Sequence, residues 1–195
     1  MTSYPTKLPR DLAPVLALLP QMTAESRRRL IGLSCLTDAL ALCLRLSAWD
    51  EAIGLYAAAL PRREAVWWAS LCCGLTAPQD QTLAALRARE AAECWVRRQD
   101  EESRRAAQAA AGAAEPAPEA WVAMAAFWSG GSIAPLGLSE VPPAPHLTAT
   151  AVQGALGLAA IRPDPAQRVR WQTDFLSRAD DIARGGDGRT NRGAP

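Results

Sequence analysis

Alanine fills roughly a fifth of this 195-residue chain, well above ordinary usage, and no other feature limits its fold so strongly. Alanine loses no side-chain entropy on entering a helix and is poorly represented in strands. Apolar residues recur at helical spacing nearly throughout, and no convincing period-2 alternation accompanies them. An alanine-lined helix supplies little bulk, so the 7 tryptophans, against 2 phenylalanines and 2 tyrosines, must fill much of the core. The predicted fold class is all-α: a single compact multi-helix domain of helical hairpins, bundle-like or short and solenoid-like.

The organisation follows from caps and breakers. A Pro-rich leader covers residues 1–22, and Thr23 can cap a helix running to about Gly32. A second helix spans about Leu36 to Leu46. Ser47 to Asp50 resembles a capping box, and the helix after it lines up Trp49, Ile53, Tyr56 and Leu60. Further helices are predicted over Arg62–Leu75, Asp80–Arg98, from Asp100, over Glu119–Trp128, over Thr148–Ile161 and from Asp164, eight or so in all. Gly112 to Pro118 reads as a short linker and 129–147 as a loop. The domain extends over 1–184, and the 185–195 tail, GGDGRTNRGAP, carries no apolar payload and is expected to be disordered.

Composition narrows function by exclusion. Lys+Arg is 21 and Asp+Glu is 20, a net charge of +1, which disfavours nucleic acid as a partner. Leu30 to Leu46, the most apolar window, contains Asp38 and Arg45 and falls short of the ~20 residues a membrane span needs. The N-terminus lacks a signal-peptide pattern, so a cytoplasmic protein is expected. Cys35, Cys43, Cys72, Cys73 and Cys94 form no CxxC pair and read as core thiols of a reducing compartment. His146, the lone histidine, sits in a Pro-rich loop without a partner pattern for nucleophilic or metal chemistry. No catalytic residue, cofactor or metal ligand is assigned.

The strongest local signal is Arg62-Arg63-Glu64-Ala65-Val66-Trp67-Trp68. Adjacent helical residues diverge by about 100°, so the two indoles cannot share a direction. Either one packs inside while the other covers a groove, or both belong to the core. Trp and Arg are also the residue types that dominate binding hot spots. Ser129-Gly130-Gly131-Ser132 lacks the lysine and preceding strand of a phosphate loop and reads instead as a helix stop. Trp49, Tyr56 and Pro78 give one degenerate match to a tetratricopeptide pattern, without a repeat.

These residues carry a resemblance. Arg62–Trp68, Ala91–Val96, and Ala125–Ser132 followed by Ile133-Ala134-Pro135 resemble a family of uncharacterised bacterial proteins with REAVWW and FWSGGS motifs, over about Leu36 to Ile182. The family looks associated with type VI secretion loci. The resemblance therefore implies a non-enzymatic adaptor or chaperone-like accessory protein that binds an effector or spike component. On that reading the partner surface comprises Arg62, Arg63, Glu64, Trp67, Trp68, Trp128, Ser129, Gly130 and Gly131. The alternatives are a structural or regulatory helical component, with a homodimer as one form of it, and an enzyme or toxin using His146 and Cys94.

Overall fold

Leu8, Leu12, Val15 and Leu19 recur at helical spacing, and all are buried. The Pro-rich leader is therefore core material, and it carries helix α1 (Leu12–Ala17) ahead of the first helix that the sequence predicts. The computed structural model describes residues 5–114 and 116–189. Helix α2 (Ala24–Arg29) starts where Thr23 Oγ1 accepts the Ser26 amide, as its capping chemistry requires. Helix α3 (Leu36–Arg45) is stitched to the leader by two amides: Leu12 N donates to Ser34 O, and Leu36 N to Arg10 O. Ser47 does not act as a cap. It takes φ of 55° as the chain leaves α3, and α4 (Trp49–Ala59) begins after Ala48 with no side-chain cap.

Helix α5 (Arg62–Leu75) begins directly after Pro61. Helix α6 (Leu83–Arg98) is capped by Thr82, and α7 (Glu101–Ala114) begins where Asp100 Oδ1 accepts the Ser103 amide at 2.8 Å. The predicted linker from Gly112 to Pro118 is shorter than expected. Helix α7 continues through Gly112, and α8 (Pro118–Phe127) opens on the proline itself, whose missing N–H costs nothing in a first turn. After the predicted loop come α9 (Leu147–Ile161), a 3-10 turn at Pro165–Gln167 capped by Asp164, and α10 (Arg168–Ala183).

Helices α8 and α9 pack on each other at the centre. Helix α8 also touches α5, α6 and α7, while α9 touches α4, α5 and α10. Both are apolar on nearly every side, as central helices must be. Alanines let them approach: Ala123, Ala125 and Ala126 on α8, and Ala151, Ala155 and Ala159 on α9, have no exposed surface. Trp68 and Phe175 supply the bulk that alanine cannot. Among the described residues there is no strand, only an isolated bridge between Asp11 and Cys35. The protein is all-α.

The C-terminal segment departs from expectation. Residues 185–189 fold back onto α10: Gly186 N donates to Asp181 O at 2.9 Å, Gly188 N to Asp181 Oδ2 at 2.9 Å, and Arg178 Nη1 to Gly188 O at 2.8 Å. Glycine is required here, since a Cβ on Gly188 (φ 76°) would stand 2.7 Å from Ile182 Cδ1. The rest of the expected tail, 190–195, lies outside the described residues. Among those residues no helix is long and apolar enough to cross a membrane.

Candidate functional site

Helix α5 separates its two tryptophans. Trp68 points inward, has no exposed surface, and donates Nε1–H to Phe175 O at 2.8 Å. Its ring meets Tyr56 edge-on at 6.3 Å. It holds α4, α5 and α10 together and is out of reach of a partner on the folded surface. Trp67, about 100° round the helix, is half-buried and lies at the surface.

Around Trp67 runs a groove of about 360 Å³ between α5, α6 and the 185–189 segment. Trp67 Nε1–H donates to Asp187 O at 2.8 Å, and the Arg189 guanidinium sits 5.0 Å from the indole centroid. Arg63 Nε donates to Val96 O at 2.8 Å, fastening the start of α5 to the last turn of α6. Glu64 pairs with Lys7 Nζ at 3.2 Å and faces Arg63 Nη1 at 3.6 Å. Deeper in, Glu93 accepts from Ser70 Oγ at 2.7 Å and Arg89 Nη1 at 2.8 Å. The groove thus gathers Arg63, Glu64 and Trp67 with Lys7, Arg97, Asp187 and Arg189, which are not among the predicted partner residues.

The other predicted partner residues go elsewhere. Arg62 is exposed and donates Nη1–H to Ser129 O, tying α5 to the turn after α8. That turn encloses a buried arginine. Arg104, 4% exposed, donates to Phe127 O at 2.7 Å and Ser132 O at 2.8 Å, and forks onto Glu101 at 2.6 and 2.7 Å. Its guanidinium also lies 4.7 Å from the Phe127 ring centroid. Gly131 takes φ of 62°, and a Cβ there would stand 2.9 Å from the guanidinium. A Cβ on Gly130 would meet nothing within 4 Å. Ser132 Oγ accepts the amides of Ala134 and Val141, closing the loop beyond. The Ser-Gly-Gly-Ser turn therefore wraps a cation with carbonyl oxygens rather than cradling an anion with amides. The hydrogen bond from Arg104, joined by Arg105, holds the Glu101 carboxyl down at about 2.

Trp128 lines a second, apolar groove of about 430 Å³ with Pro116, Ala120, Trp121 and Met124. Trp121 lies flat across α9 because Gly154 offers no side chain; a Cβ there would stand 3.3 Å from the indole. A buried ion pair joins α8 to the end of α9. Glu119, with no exposed surface inside an apolar run, accepts Arg162 Nη1 at 2.9 and 3.0 Å and Gln81 Nε2 at 2.7 Å. Arg162 also donates Nε–H to Thr76 O at 3.0 Å, joining α5, α8 and α9.

Cys43, Cys72 and Cys73 are buried as expected, and burial pushes each thiol well up; Cys35 and Cys94 are half-buried. His146 is half-buried just before α9. Among the described residues no three His, Cys, Asp or Glu side chains converge as a metal site would need.

Among the described residues ten helices, with the apolar α8–α9 pair at their centre and a charged groove on one flank, define an all-helical domain with a surface recess. The chain belongs to the family of unknown function DUF6931, whose model matches residues 39–183. That match takes in the groove walls on α5 and α6, whereas Lys7 and the 185–189 segment fall outside it. No curated protein and no solved structure matches the chain.

Proposed function

We propose that this protein is a non-enzymatic, cytoplasmic protein-interaction module, an adaptor or chaperone-like accessory of a type VI secretion system that binds an effector or spike component. The type VI assignment rests on the resemblance carried by Arg62–Trp68 and Ala125–Ser132. The observation that carries the interaction reading is the placement of Trp67: a half-buried indole in an open groove, flanked by the guanidinium groups of Arg63 and Arg189. Aromatic and arginine side chains at the centre of a recess are what binding hot spots are made of. Arg63, Glu64 and Trp67 form the docking surface, while Trp68, Gly131 and Ser129 act by holding the scaffold that presents it.

The test is co-purification of the tagged chain with individually expressed type VI spike and effector proteins. The wild type retains one of them, and the folded Trp67→Ala and Arg63→Ala variants lose it. Retention at wild-type yield by both variants overturns the surface; failure of the wild type to retain any of them overturns the function.

A second reading has one observation in its favour. The apolar groove beside Trp121 and Trp128 would suit a structural helical component that self-associates, since 38% of Trp121 is exposed. Light scattering on the wild type and a Trp121→Arg variant separates a dimer through that face from a monomer.

A further inference from the structure

We propose that the Trp67 groove receives an acidic side chain from a short segment of the partner protein. This rests on the interaction reading above and adds the chemistry of what is bound. The carboxylates lining the groove are already engaged. Glu64 faces Lys7 and Arg63, Glu93 accepts from Ser70 and Arg89, and Asp187 Oδ1 accepts the Arg189 amide at 2.9 Å. Two of the groove's cations are occupied in return: Lys7 pairs with Glu64, and Arg63 gives Nε to Val96 O and faces Glu64 at 3.6 Å. The other two are not. Among the described residues Arg97, which is exposed on the groove wall, makes no hydrogen bond or ion pair. The Arg189 guanidinium stacks on Trp67, and its N–H groups take no acceptor among the described residues.

The groove therefore gathers four cations, Lys7, Arg63, Arg97 and Arg189, against three carboxylates, and among the described residues Arg97 and Arg189 have no acidic partner. A carboxylate answers that imbalance, because a guanidinium fork matches its two oxygens. The indole of Trp67 provides a flat apolar wall for the methylenes of an Asp or Glu side chain. A volume of about 360 Å³ has room for the side chains of a short extended segment. The 185–189 segment already shows the backbone part of such a contact within the chain, since Trp67 Nε1 binds a main-chain carbonyl at Asp187.

The experiment measures binding of fluorescein-labelled Gly/Ser peptides to the full chain by anisotropy. One peptide carries a central Asp-Glu-Asp and the other an isosteric Asn-Gln-Asn. The acidic peptide is expected to bind at least about tenfold more tightly, with the difference shrinking as salt screens the charges. Arg97→Glu, at an exposed and unpaired position, is expected to weaken acidic-peptide binding about tenfold with unchanged circular dichroism. Asp187→Asn keeps an acceptor for the Arg189 amide and removes one negative charge from the wall. It is expected to tighten binding by about twofold to threefold.

Equal binding of the two peptides, an indifferent Arg97→Glu variant, or a weaker Asp187→Asn variant overturns the proposal. So does full displacement of the acidic peptide by equimolar inorganic phosphate, which marks an anion site instead. The two levels fail separately. If a type VI protein is retained through Trp67 while the acidic peptide is ignored, the acid inference falls and the interaction reading stands. If no type VI protein is retained, the interaction reading falls whatever the peptides do.

Discussion

Replacing Gly131 with alanine tests whether the Ser-Gly-Gly-Ser turn is built around Arg104. The substitution adds a Cβ 2.9 Å from Cζ, Nε and Nη2 of the guanidinium, at a residue held at φ of 62°. The left-handed backbone alone costs an alanine about 1 kcal/mol. Arg104 is the far end of a flexible side chain, yet it cannot yield freely, because it is bound to Phe127 O, Ser132 O and Glu101. Moving it away forfeits at least one charge-assisted bond in a site that is 4% exposed, a loss of about 2 kcal/mol. Gly131→Ala is therefore expected to destabilise the protein by about 3 kcal/mol. Gly130→Ala is the internal control: its Cβ meets nothing within 4 Å, so its effect stays within about 0.5 kcal/mol. Urea unfolding followed by circular dichroism measures both, with the midpoint moving and the slope unchanged. Equal effects of the two alanines, or a Gly131→Ala cost under about 1 kcal/mol, refute the carbonyl cage around Arg104.

The neighbouring tryptophans provide a second contrast. Trp68→Ala opens a cavity and removes the indole bond to Phe175 O, costing about 4 kcal/mol, whereas Trp67→Ala costs about 1 kcal/mol and speeds amide exchange at 186–189; the reverse order of stabilities contradicts the assignment. Glu119→Ala leaves Arg162 Nη1 and Gln81 Nε2 without their acceptor and is expected to cost about 3 kcal/mol in the same urea assay, with a loss under about 1 kcal/mol counting against a buried ion pair. Glu101 predicts a pH dependence. Its carboxyl lies below its ordinary 4.5 at about 2, so its stabilisation is complete above 4.5 and disappears as pH falls through about 2. With the side chain 52% exposed, screening leaves about 1 kcal/mol of it; Glu101→Gln is expected to remove that slope in a urea series across the interval, and a parallel profile contradicts the pairing.

Helices declare themselves in this sequence wherever a cap and a periodic apolar stripe coincide. Thr23 ahead of α2 and the Arg62–Leu75 stripe show this, the latter matching α5 at both ends. Legibility fails where tertiary contacts override local chemistry. Ser47 has the composition of a cap and turns instead through a left-handed conformation. Gly112 stays helical, since a mid-helix glycine costs only about 1 kcal/mol. The leader hides α1 behind its prolines, although Leu8, Leu12, Val15 and Leu19 keep the period that would have revealed it.

The candidate site divides in the same way. Divergence of Trp67 from Trp68 follows from helical geometry, whereas which indole turns inward depends on α10, more than a hundred residues downstream. Lys7 and Asp187 reach the groove from opposite ends of the chain, and no local pattern marks such a meeting. The turn motif was legible as a helix stop, but its purpose depends on Arg104, whose Glu101 spacing at i,i+3 was the available signal.

Hydrogen–deuterium exchange of the full chain, with and without each type VI spike and effector protein, tests the interaction surface most directly. One of them is expected to slow exchange at 186–189 and at the facing ends of α5 and α6, with the Trp121 and Trp128 face unchanged. Protection confined to that apolar face, or no protection with any of these proteins, contradicts it.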